Sequence, residues 1–234
     1  MIFEFDRLIK KFDSLPNLPK VNLEPTYLEI CKYPYTRFEE ICSRILCFYF
    51  SPLKEHGFGD LFIRSIMELL KVQKELFLNL NEIKVISEEN AEGKRLDILI
   101  YSQKFAIGIE NKITANLYNP LDTYKNRIDL YSKENVYYIV LSLHPIVSKV
   151  EKKLMVDNSF INITYKQFFE VVIPKIKLLN KGKKNSYILY LEDFIKTLFK
   201  MSGQELIDNE LSDFFNDNSD TIEHLIQLYN AFTN

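Results

Sequence analysis

"GKRLDILIYSQKFAIGIENKI", residues 93–113, decides how this chain folds. "RLDILIYS" (95–102) and "KFAIGIENK" (104–112) are rich in Ile, Leu, Tyr and Phe, and only a short polar turn separates them. That pattern predicts two antiparallel strands. Yet one aspartate interrupts the first strand, and Glu110, Asn111 and Lys112 close the second. Charged side chains are rarely placed in buried strands unless they are paired or used.

A turn centred on Gln103 and Lys104, of two or four residues, pairs positions whose numbers sum to 207. Asp97 then stands opposite Glu110, and directly opposed residues share a face. Leu96, Ile98 and Ile100 are expected on the other face with Ile107 and Ile109. Lys112, two residues beyond Glu110, shares the carboxylates' face. Ala106 and Gly108 on that face leave room for something bulky. A slip of one residue would send a carboxylate into the core, so the aliphatic pattern fixes the register.

Two neighbouring carboxylates repel each other, and either a proton or a cation must sit between them. Oxygen donors without His or Cys suit a hard ion, Mg2+ or Mn2+. Lysine beside such a site orients or deprotonates a water, or stabilises developing negative charge, which suits phosphodiester hydrolysis.

The rest of the chain supplies helices around this hairpin. "TRFEEICSRILCFYF" (36–50) places Phe38, Ile41, Cys42, Ile45, Leu46 and Tyr49 on one helical face, with Thr36 and Glu39 in capping-box spacing. "DLFIRSIMELLKVQKELF" (60–77) is a second amphipathic helix with Asp60 as N-cap. "IKVISEE" (83–89) is a strand before the hairpin. "NPLDTYKNRIDLYSKE" (119–134) is a helix with Asn119 as N-cap and Pro120 at its first position. "NVYYIVLSL" (135–143) is a fourth strand, and residues 163–179 and 185–201 are helices. The expected architecture is α/β: a small mixed sheet of about four strands flanked by helices. It forms a single domain over 1–234, with a core at about 36–200. The helical extension 201–234 carries seven acids and neither Lys nor Arg.

Composition narrows the partners. Lys and Arg number 30 against 32 Asp and Glu, a net charge of −2, so any nucleic-acid contact depends on a local patch. No stretch is long and apolar enough for a membrane span, and the first residues lack the layout of a signal peptide. Three cysteines without a CxxC pair argue against a disulfide framework and for a reducing, cytoplasmic setting. The three histidines are scattered, which argues against a histidine metal site; His56, in "HGFGD", reads as a structural loop residue. Glu88 and Glu89 either join the carboxylate site or form a solvated strand end. Arg95 reaches either a phosphate or one of Glu92 and Glu89.

Asp97-x12-Glu110-Asn111-Lys112 resembles the D…(D/E)xK signature of the PD-(D/E)XK nuclease superfamily, with Leu96 in place of the usual proline. "EEICSRILCFYFSPLKEHGFGDLFIRSIM", "GKRLDILI", "IENKI" and Tyr124 extend the resemblance over roughly 36–200. It is similar to a branch with a helical glutamate near an SRIL-like run. The resemblance implies a restriction-endonuclease-like fold and Mg2+-dependent (or Mn2+-dependent) cleavage of DNA, with RNA as the other polymer to test. It implies Asp97, Glu110 and the Asn111 carbonyl as metal ligands, and Lys112 as the residue acting on water or phosphate. A helical glutamate completes the metal surroundings, and Glu39 and Glu40 compete for that role. Glu39 sits about 100° from the centre of the apolar face and Glu40 about 160°, which favours Glu39. Pro120 stands where the branch often has glutamine, leaving Tyr124, Lys125 and Arg127 to meet a phosphate. That departure motivates the alternative of an idle DNA- or protein-binding module on the same fold. Cutting both strands takes two active sites, which is the reason to expect a homodimer.

Overall fold

A computed structural model of the chain describes residues 10–11, 24–32, 38–72, 79–113, 117–118, 120–132, 134–179, 185–202, 214 and 217–233. The chain divides into two compact units. One is Thr26–Leu198, and the other joins the chain ends, 1–25 and 199–234.

The larger unit opens with a single turn, α1 (Tyr27–Ile30), closed by a capping box in which Thr26 and Glu29 bond each other's backbone amides. Then come α2 (Phe38–Phe50), α3 (Leu61–Leu69), β1 (Lys84–Ala91), β2 (Lys94–Tyr101), β3 (Ala106–Lys112), α4 (Leu121–Asp129), β4 (Val136–Ser142), α5 (Lys149–Asp157), β5 (Ile161–Thr164), α6 (Tyr165–Leu179) and α7 (Ser186–Ser202). The five strands form one sheet in the order β1-β2-β3-β4-β5. The first two pairings are antiparallel and the last two parallel. Parallel neighbours need a crossover, and α4 and α5 supply the two.

The β2–β3 register follows the predicted sum: Ile98 faces Ile109, Leu99 Gly108, Ile100 Ile107 and Tyr101 Ala106. Ser102 N–H donates to the Phe105 carbonyl at 2.9 Å, so the turn closes over Gln103 and Lys104. On one face α4 packs Leu121, Tyr124 and Ile128 against Leu99, Ala106 and Val140. On the other face α2 lies against β1, β2 and β3. Behind α2 a run of rings (Tyr49, Phe50, Phe58, Phe62, Phe168, Phe169) joins it to α3 and α6.

Several expectations change. A fifth strand, β5, precedes α6 where a helix from 163 was expected; four residues are too few to show a period. Helix α5 had no apolar signature because only Met155 of it is buried. Helix α3 ends at Leu69, and residues 73–78 lie outside the described set, as do Thr36 and Asn119. Asp60 holds the N-cap position of α3 but makes no capping bond, its carboxylate accepting from Arg64 Nε at 2.7 Å instead. Pro120 is the N-cap of α4, not its first helical residue. Leu96 lies in the α4-side core, not with Ile98 and Ile100.

The last change has a local cause. Glu88, across from Asp97, has φ of 57°, a left-handed conformation costly for a residue with a Cβ. The β1–β2 ladder skips that pair, resuming at Glu89–Leu96 after Ser87–Ile98. Alternation breaks there on both strands. Ile86 packs into the α4-side core and Glu89 bonds Arg127 of α4; Leu99 and Leu96 likewise share that core. In each strand, residues three apart thus face one side.

In the smaller unit, α8 (Ser219–Thr233) is helical. There Lys200 Nζ donates to the Glu24 carbonyl at 2.8 Å, and Lys11 lies 3.8 Å from Asp217.

Candidate active site

The broken alternation frees Asp97 from the ladder. Its Oδ2 accepts the Asn111 N–H at 2.7 Å, at the end of β3. Asp97 and Glu110 lie close enough for each carboxyl to act on the ionisation of the other. Glu110 is 1 % exposed and Lys112 9 %. Lys112 Nζ lies 3.0 Å from Glu110 Oε1 and 3.6 Å from Glu39 Oε2. Glu39, in the first turn of α2, also accepts the Ile113 N–H at 2.8 Å through Oε1. Glu40 points elsewhere, pairing with Arg44 at 2.5 Å. Of the two helical glutamates, the structure brings Glu39 to the lysine.

Electrostatics follow from burial. Desolvation pushes the Asp97 carboxyl above the usual carboxylate range, against the pull of the Asn111 amide and Lys112. Glu110 is also raised, first by burial and then by the charge of Asp97. For Lys112, burial works against the charged form, but Glu110, Glu39 and Asp97 outweigh it and hold the ammonium above its ordinary pKa. Lys112 is therefore a cation here, not a poised base.

Glu110 Oε2 is buried and has no hydrogen-bond partner, alone in this among the described side chains. Two ionised carboxylates this close repel each other, so the pair favours a shared proton or a cation between them. Among the described residues, no three His, Cys, Asp or Glu side chains form a ready metal cage. Two buried carboxylates suit a hard, hydrated ion that takes its remaining ligands from other oxygens, those of water and phosphate among them. The donor set fits Mg2+ or Mn2+.

The resemblance assigns a role only to the carbonyl of Asn111, but its side chain is fully buried and held on both sides. Its Nδ2 donates to the Glu39 carbonyl (3.0 Å) and to Ser43 Oγ (3.1 Å), and its Oδ1 accepts from Tyr165 OH (2.7 Å). Ser43 and Tyr165 carried no signal that sequence reasoning picked up: by helical spacing Ser43 falls about 140° from the centre of the apolar face of α2.

The remaining candidates are engaged elsewhere. Tyr124, expected to meet a phosphate, is 2 % exposed within the α4-side core. Lys125 reaches Ser159 Oγ at 3.1 Å and lies over the Tyr138 ring. Arg127 donates through Nε (2.8 Å) and Nη2 (2.6 Å) to Glu89. Arg95 pairs with Glu88 at 3.0 Å, not with Glu92 or Glu89. Glu88 and Glu89 thus anchor arginines. His56 is structural: its Nδ1 accepts the Phe58 N–H and its Nε2 donates to the Ser51 carbonyl, while burial lowers its pKa. The three cysteines are free thiols.

A five-stranded mixed sheet with helices on both faces, and neighbouring carboxylates from the first half of β2 and the end of β3, defines a restriction-endonuclease-like fold. A model of the PD-(D/E)XK nuclease superfamily matches residues 30–200, most of the chain. The chain belongs to the PD-(D/E)XK nuclease superfamily, a nuclease-type family. Comparison with curated proteins, and separately with solved structures, gave no significant match. Among the described residues, no helix is long and apolar enough to cross a membrane.

Proposed function

We propose that this chain is a divalent-metal-dependent nuclease that hydrolyses phosphodiester bonds of DNA. The observation that carries the reading is the buried, unpartnered oxygen of Glu110, beside Asp97 and 3.0 Å from Lys112 across the other oxygen. Family membership supports nuclease chemistry in general; Mg2+ or Mn2+ and DNA are the finer steps proposed here.

In this reading Asp97, Glu110 and the Asn111 carbonyl hold the cation. A bound divalent cation would polarise phosphoryl oxygens and make water a stronger nucleophile. Asp97 is held on its other oxygen by the Asn111 amide, so its orientation is set before any ion arrives. Lys112, kept as an ammonium by three surrounding carboxylates, supplies positive charge to the phosphate as negative charge develops. Glu39 holds Lys112 and the Ile113 amide, fixing where β3 ends.

The test is an assay with Mg2+ or Mn2+ on linear, circular and single-stranded DNA, with RNA as the comparison polymer. Wild type is expected to cut DNA. Lys112→Ala is expected to lose about 10²–10³-fold in rate, and Glu110→Ala at least as much. Cleavage of RNA alone would replace the substrate. Binding of DNA without cleavage of any polymer would replace the enzyme reading with that of an idle binding module.

A further inference from the structure

Asn111 touches every part of the site. Its amide holds Asp97, its neighbours in the chain are Glu110 and Lys112, and its buried carboxamide is clamped between two helices. Ser43 Oγ and the Glu39 carbonyl accept from its NH2 on the α2 side, and Tyr165 OH donates a hydrogen bond to its oxygen from α6. Ser43 Oγ in turn donates to the Glu39 carbonyl at 2.8 Å, tightening the same turn of α2 that carries Glu39. Asn111, Ser43 and Tyr165 are almost completely buried.

We infer that Ser43 and Tyr165 are positioning residues for the metal site: through the Asn111 carboxamide they hold the end of β3 against α2, and so hold Asp97, Glu110 and Glu39 in one arrangement. This inference rests on the metal-dependent reading proposed above. A buried carboxamide that loses one partner turns to recover a bond, because a buried polar atom left unpaired is costly. Turning the side chain drags the backbone amide that Asp97 depends on. A clamp that served packing alone would affect stability and leave the carboxylates in place.

The variants are Tyr165→Phe, which removes one oxygen and nothing else, and Ser43→Ala, with Ser43→Thr restoring the hydroxyl. Val172→Ala, in the buried face of the same helix as Tyr165, lowers stability without touching the clamp. Mn2+ binding is measured on the full chain by calorimetry or by the spin-resonance signal of free Mn2+, at a temperature where thermal melts show every variant folded. Tyr165→Phe and Ser43→Ala are expected to bind Mn2+ about tenfold more weakly, the lower end of the range for groups that orient metal ligands. Val172→Ala and Ser43→Thr are expected to bind like wild type. Unchanged Mn2+ affinity in Tyr165→Phe and Ser43→Ala, with wild type binding well, overturns the clamp and leaves the metal site standing. An equal loss in Val172→Ala also overturns it, because general loosening then accounts for the effect. If Tyr165→Phe fails to fold, the Ser43 pair decides. Failure of wild type itself to bind Mn2+ overturns the metal reading and the clamp together.

Discussion

Glu110 is held in the interior at a cost that only a proton or a cation offsets. Its ordinary pKa lies near 4, and burial together with Asp97 raises it in the folded state. Asp97 is raised as well, by burial first. Below the unfolded pKa both carboxyls are protonated in both states and impose no penalty. As pH rises above about 4, the unfolded chain releases protons that the folded chain retains, so these groups remove stability progressively up to their raised folded values. Glu89, lowered through Tyr131 and Arg127 against its desolvation, contributes with the opposite sign, so the whole-protein curve mixes the two. A difference measurement isolates the site. In metal-free buffer, the stability of wild type minus that of Glu110→Gln is expected to fall as pH rises from 4 to 8, as read from denaturant melts at each pH. A flat difference would mean that Glu110 ionises normally. The unpartnered oxygen was not legible in the sequence. That Asp97 and Glu110 come together was legible in the β2–β3 register; that Asp97 leaves the ladder to accept the Asn111 amide was not.

At the scale of elements, the hairpin was read from its own residues. Alternating apolar side chains and a polar turn specify β2 and β3 locally, and α2 follows from its helical period. The kink at Glu88 was not readable, because nothing in "ISEENAE" marks a left-handed residue where no glycine stands. The kink shifts Leu96 to the α4 side. The space beside Gly108 was expected to admit something bulky, and Ile128 of α4 fills it. A Cβ at Gly108 would lie 2.0 Å from Ile128 Cδ1 and 2.6 Å from its Cγ1. Ile128 is fully buried and has little room to retreat. Gly108→Ala is therefore expected to destabilise the protein by about 1–3 kcal/mol through overpacking, measured by chemical denaturation. Ile128→Val in the same background should recover part of the loss. No recovery would place the strain elsewhere.

For the whole molecule, the sheet brings side chains far apart in sequence to one end of β3: Glu39 from α2, Asp97 from β2, Tyr165 from α6. An ion bound there stabilises the folded state alone. At a free Mn2+ concentration 100 times its dissociation constant, the gain is about 2.7 kcal/mol. For a chain of this size that is roughly 5–10 °C in melting temperature. Glu110→Ala is expected to abolish the shift, as scanning calorimetry with and without Mn2+ would record. A shift that survived in the variant would assign the ion to another place. What the sequence determined by itself was local and periodic: the hairpin, its register, the amphipathic helices, and the gathering of Asp97, Glu110 and Lys112, because alternation and helical period are properties of neighbouring residues. What only the tertiary structure decided was which glutamate of α2 meets the lysine, where Arg95, Arg127 and Tyr124 are spent, and which buried hydroxyls clamp Asn111. Those outcomes depend on how helices pack across the sheet, and packing joins residues whose separation along the chain leaves no pattern to read.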